Sequence, residues 1–87
     1  MDIIKVFAAN LKKYRIQKGF SQEDLAEISE LHRTYISAIE REKRSIALEN
    51  VQKIANALNI ETYLLFVDKE ISDKGGQQWN VVNILTI

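Results

Sequence analysis

The chain has 87 residues, with 12 Lys and Arg against 12 Asp and Glu, one His, and neither Cys nor Pro. That length allows one compact domain, and a content of 46% hydrophobic and 28% charged residues is that of a globular chain rather than a disordered one. Without Cys there is no disulfide scaffold, Cys-based zinc site or thiol nucleophile, and no run approaches the ~20 apolar residues of a membrane span.

No signal-peptide core opens the chain. The expectation is a cytoplasmic domain that is not an enzyme and needs no cofactor or metal. His32 alone offers too little for metal binding or base catalysis, and no carboxylate pair or Gly-rich loop converges on a plausible catalytic site.

From the N-terminus, Ile3 to Lys18 places Ile4, Phe7, Leu11 and Tyr14 at helical spacing. Asp2 is suited to cap the start of this helix and Gly19 to end it in a left-handed conformation. Ser21 then reads as an N-cap with Asp24 as its capping-box partner, followed by Leu25, Ala26 and Ile28 on a short second helix. Arg33 to Arg41 forms a third, with Ile36 and Ile39 inward and Tyr35 alongside. His32 is a weak cap for it. Glu42 to Ser45 is a charged loop. A fourth helix, from about Ala47 to Leu58, carries the stripe Leu48, Val51, Ile54, Ala55 and Leu58, and Asn59 is placed to terminate it. Tyr63, Leu64, Leu65 and Phe66 predict a short fifth helix, apolar nearly all round, which makes it the candidate dimer seam. Beyond Gly75-Gly76, the β-branched and apolar segment 79–87 reads as a strand.

Zero net charge is unusual for a small nucleic-acid binder, but the charges come in blocks. Residues 1–20 carry Lys5, Lys12, Lys13, Arg15 and Lys18 against Asp2 alone. Residues 21–40 invert this, with Glu23, Asp24, Glu27, Glu30 and Glu40 against Arg33. Residues 41–60 are again basic and the remainder is acidic. Such blocks build opposed faces on one small body. For a DNA binder they imply few phosphate contacts and a shallow salt dependence.

The second and third predicted helices, joined by a tight turn, form a helix-turn-helix layout. Ala26 falls where the two helices cross closely, and Leu25, Leu31, Ile36 and Ile39 fix their angle. The third helix then turns Arg33, Thr34, Ser37 and Ala38 outward, a set of short or hydrogen-bonding side chains around one Arg that suits a major groove.

Residues 7–66 resemble the Cro/cI type of helix-turn-helix domain. The match lies in the stretch Gly19-Phe20-Ser21-Gln22-Glu23-Asp24-Leu25-Ala26 and again in Leu31 through Arg41. With Lys43-Arg44 and Leu48-Glu49-Asn50, the resemblance is to controller proteins of restriction–modification systems. It implies an all-α, compact five-helix lambda-repressor-like helix-turn-helix domain over residues 1–67, with an extension over 68–87. Two positions depart from the pattern: Glu30 and Glu42 stand where the family usually has Gly. Either these turns are reshaped or they carry strain of about 1 kcal/mol each.

By resemblance, Arg33 reads a guanine and Thr34, Ser37 and Ala38 complete the base-contacting set. Gln22, His32, Tyr35, Lys43, Arg44 and Asn50 would meet the DNA backbone. For Lys43 and Arg44 the alternative is a solvated loop, for Tyr35 packing, and for Asn50 a helix cap. Arg15 and Glu40 match a pair that bridges the first and third helices. Glu23 and Glu27 match acidic positions that touch the sigma subunit of RNA polymerase in phage repressors, with a solvated acidic face as the alternative. The partners implied are operator DNA, a second copy of the chain in a homodimer, and the polymerase. Tyr63, Leu64, Leu65 and Phe66 would supply the dimer interface. Functional alternatives are a prophage repressor, the antitoxin of a toxin–antitoxin pair, or a protein-interaction module that does not bind DNA.

Overall fold

The computed structural model describes residues 1–68. Four α-helices, α1 (Ile3–Gln17), α2 (Gln22–Ser29), α3 (Arg33–Glu40) and α4 (Leu48–Leu58), precede a 3-10 turn at Thr62–Phe66. The fifth element is therefore a 3-10 turn rather than an α-helix. The strand expected over 79–87 lies outside the described residues.

The helix ends follow local chemistry. Asp2 accepts hydrogen bonds from the N–H groups of Ile4 and Lys5, and α1 stops before Gly19, which has φ 76°. At α2 the capping box is complete: Ser21 Oγ accepts from the Asp24 N–H, and Asp24 Oδ2 accepts from the Ser21 N–H, both at 2.9 Å. Hydrogen bonding from Ser21 to the carboxylate, its backbone N–H first and its side chain second, holds the Asp24 carboxyl below its ordinary 3.8. Asn59 ends α4 in the left-handed region at φ 55°, which its short amide tolerates well.

Glu30 and Glu42 occupy that same region, at φ 61° and 62°. Both turns keep the left-handed geometry and accept its cost, because the geometry is what closes the helices. The Leu31 N–H bonds the Ala26 carbonyl at 2.9 Å, and the Lys43 N–H bonds that of Ala38 at 2.8 Å. Glu30→Gly is expected to stabilise the domain by about 0.5–1 kcal/mol, read as a rise of a few degrees in melting temperature. A fall would show that the Glu30 side chain contributes more than its backbone strain costs.

Phe7 and Leu11 of α1, Leu25 and Ala26 of α2, Ile36 and Ile39 of α3, and Val51, Ile54, Ala55 and Leu58 of α4 form one core with Leu65. Each fully buried Leu or Ile contributes about 1.5–3 kcal/mol relative to exposure, so the interhelical angles are set mainly by this interior. Ala26 is buried in it, at the helix-turn-helix. Two apolar residues of the predicted stripes lie outside it, Ile4 at 38% exposed and Leu48 at 83%, and Ile28 of α2 is 50% exposed as well. Ser29 takes the inward position next to Ile28, its hydroxyl donating to the Leu25 carbonyl at 2.6 Å.

The 3-10 turn corrects one interface assignment. With three residues per turn, Leu65 points fully into the chain's own core and is unavailable to a second copy. Tyr63, Leu64 and Phe66 are half-buried. Phe66 packs its ring on Phe7, with centroids 5.4 Å apart. Asn10, buried on α1, anchors this region, its Nδ2 donating to the carbonyls of Leu65 and Val67 at 3.0 Å each.

Candidate nucleic-acid interface

The core residues Ile36 and Ile39 define the inner face of α3, so its opposite face is fixed by helical geometry. Residues 33, 34, 37, 38 and 41 share that outer face. Arg33 and Thr34 are exposed, while Ser37 and Ala38 are partly covered and form a shallow floor. Arg41, the C-cap of α3, reaches back so that its Nε donates to Ser37 Oγ at 3.4 Å. Arg41 is not among the site residues expected from the sequence, although its spacing of four from Ser37 and eight from Arg33 places it on this face.

A buried polar lock holds α3 at its angle. Glu40 Oε2 accepts from Arg15 Nε at 2.6 Å, and its Oε1 accepts from Arg15 Nη2 at 3.0 Å. The two side chains are only 11% and 4% exposed. Arg15 Nη1 also donates to the Phe20 carbonyl at 2.8 Å, fixing the approach to α2. Gln22 adds the remaining strut, with its Nε2 donating to Glu40 Oε1 at 3.1 Å. Gln22, a candidate backbone contact, is therefore tied to the scaffold at the start of α2. The bridge between α1 and α3 expected for Arg15 and Glu40 is present, and it extends to a third helix.

At the other end of α3 the remaining candidates gather. His32 is the N-cap residue but makes no side-chain cap bond. Asn50 sits within the first turn of α4, whose N-cap is Ala47. Its side chain donates instead to Tyr35 Oη at 3.0 Å. The Arg44 guanidinium stacks over the Tyr35 ring, 5.0 Å from its centroid. Lys43 is exposed in the same loop. Tyr35, Arg44 and Asn50 thus form one cluster, whereas Lys43 is a separate exposed cation. Glu23 and Glu27 are exposed on α2. Among the described residues no helix is long and apolar enough to cross a membrane.

The helix-turn-helix family model matches residues 11–65. A Neisseria hypothetical transcription factor from Neisseria meningitidis is 46% identical over 66 residues, 76% of this chain and 62% of that protein. The crystal structure of the hypothetical transcription factor NHTF from Neisseria superposes with a TM-score of 0.78 at 42% identity, covering 84% of each chain. Control protein C.SmaI of Serratia marcescens is 41% identical over 76 residues, 87% of this chain and 90% of its own. The restriction–modification controller protein C.Esp1396I, solved as a tetramer with its natural 35 base-pair operator, gives a TM-score of 0.70 at 36% identity, covering 76% of this chain and 87% of that one. The chain belongs to the Cro/cI type of the helix-turn-helix family, which also holds the restriction–modification controller proteins it resembles.

Proposed function

We propose that this sequence-specific DNA-binding regulator is a restriction–modification controller, acting in the cytoplasm as a homodimer on a near-palindromic operator and both activating and repressing its own promoter. The observation that carries the reading is the outer face of α3. Arg33, Thr34, Ser37 and Ala38, joined by Arg41, are presented on a helix locked to two others through Glu40. A single domain of this size reads few bases, so selectivity in a genome calls for two half-sites read together. Tyr63, Leu64 and Phe66 are the residues assigned to the seam that would place two α3 helices ~34 Å apart, one turn of DNA. His32, Tyr35, Lys43 and Arg44 would position the backbone on either side, and Asn50 would act beside them.

Footprinting upstream of the gene tests this reading. Two protected half-sites centred about 10 base pairs apart are expected, and equal protection of any duplex would refute it. For activation, the exposed Glu23 and Glu27 are the residues assigned to the sigma subunit. Changing both to Gln is expected to leave operator affinity unchanged while lowering transcription from the promoter by purified polymerase. Unaltered output would return them to the role of a solvated face.

A further inference from the structure

A recess of about 410 Å³ opens between the start of α3 and the first turn of α4, lined by Thr34, Tyr35, Arg44 and Asn50, with Glu30, Leu31 and His32 from the turn before α3. Its polar groups are coupled in one direction. A phenol both donates and accepts, whereas the NH₂ of an Asn amide only donates. With Asn50 Nδ2 donating to Tyr35 Oη, the hydroxyl hydrogen has no acceptor on that side. It is left to point away from α4. Arg44, stacked on the same ring, adds a guanidinium with no accepting capacity of its own. Tyr35 Oη and the Arg44 guanidinium thus stand side by side as donors at the mouth of the recess, an arrangement that suits a phosphate oxygen.

We infer that Asn50 is a positioning residue. It sets the Tyr35 hydroxyl as a one-way donor which, with Arg44, grips a DNA phosphate beside α3. The inference rests on the regulator reading above and assigns Asn50 a role through Tyr35 in place of a direct backbone contact. It also accounts for a half-buried amide at the third residue of α4, which makes no capping bond there and donates to Tyr35 instead.

Two measurements on the full chain test it. In the DNA-free protein, the Asn50 side-chain amide proton resonances are expected to move in Tyr35→Phe, which keeps the ring and removes only the hydroxyl. Unmoved resonances would overturn the contact. With the footprinted operator duplex, Tyr35→Phe is expected to weaken binding about tenfold, the scale of one hydrogen bond to a charged group. Asn50→Asp is the decisive change, because its carboxylate accepts the phenol hydrogen and turns it inward. It should cost about tenfold more when Tyr35 is intact than when combined with Tyr35→Phe. The added negative charge acts in both backgrounds and cancels from the comparison, and melting temperatures read any structural cost separately. Equal losses in the two backgrounds would overturn the proposal. An unsubstituted chain that binds no operator, with its amide signal still responding to Tyr35→Phe, would overturn the regulator reading and the phosphate target with it, while leaving the contact.

Discussion

Glu40→Ala is expected to destabilise the domain by about 3–5 kcal/mol, because it leaves the Arg15 guanidinium buried without its counter-charge. Arg15 would keep only its bond to the Phe20 carbonyl, and Gln22 would lose its acceptor. Small domains have roughly 5–15 kcal/mol in total, so much of the chain's margin would go, and thermal or denaturant unfolding would show it directly. Replacing both partners, as Arg15→Met with Glu40→Leu, is expected to recover most of the loss, since no charge then remains buried. The recovered protein would still lack the strut to Gln22, so its operator affinity is expected to stay below that of the parent. Full recovery of both properties would show that apolar packing alone orients α3. A loss under about 1 kcal/mol in Glu40→Ala would mean that Arg15 escapes to solvent and that the lock is a surface pair.

Arg33→Ala is expected to leave folding almost untouched and to remove base discrimination. Arg33 is exposed at the first position of α3, opposite the core face. A bidentate contact to guanine contributes about 1–3 kcal/mol of discrimination per half-site. A two-fold dimer loses it twice, so operator binding should weaken by about 2–6 kcal/mol in a titration with labelled duplex. The informative control is an operator with the paired guanine replaced. The unsubstituted chain should lose affinity for it, and Arg33→Ala should bind both duplexes alike. An equal drop on every duplex, with the salt slope reduced by about two for one lost phosphate contact in each subunit, would assign Arg33 to a phosphate instead.

Much of the fold is legible in the sequence because its helix ends are chemically explicit. Ser21 with Asp24, Asp2, Gly19 and Asn59 each act within four residues of where they stand, and local rules suffice for them. Glu30 and Glu42 are legible in another way: two residues at positions that favour Gly mark where the backbone accepts a left-handed turn. The breadth of the buried face is not legible locally. Periodicity identifies the side of α4 that carries Leu48 and of α2 that carries Ile28, but only the neighbouring helices decide how far around each helix the interior extends. Residues 63–66 are apolar on every side, so nothing in their sequence marks Leu65 as the one that turns into the chain's own core. In the candidate site, the outer face of α3 follows from spacing, and Arg41 would have followed too had the face been carried to the helix end. The Asn50–Tyr35 and Gln22–Glu40 bonds span 15 and 18 residues. No local pattern announces contacts at such distances.

Asn10 carries this furthest, since its two acceptors lie 55 and 57 residues along the chain. In a chain made from its N-terminus, α1 appears first but holds a polar amide on its apolar stripe, with water as its partner until residues 65 and 67 have followed. Docking α1 early would leave that donor unpaired, at a cost of about 1–3 kcal/mol. The amide thus favours waiting over premature collapse. The first helix and the 3-10 turn are thereby bound into one cooperative unit, since neither buries its share of the core without leaving this amide or its acceptors to find another partner.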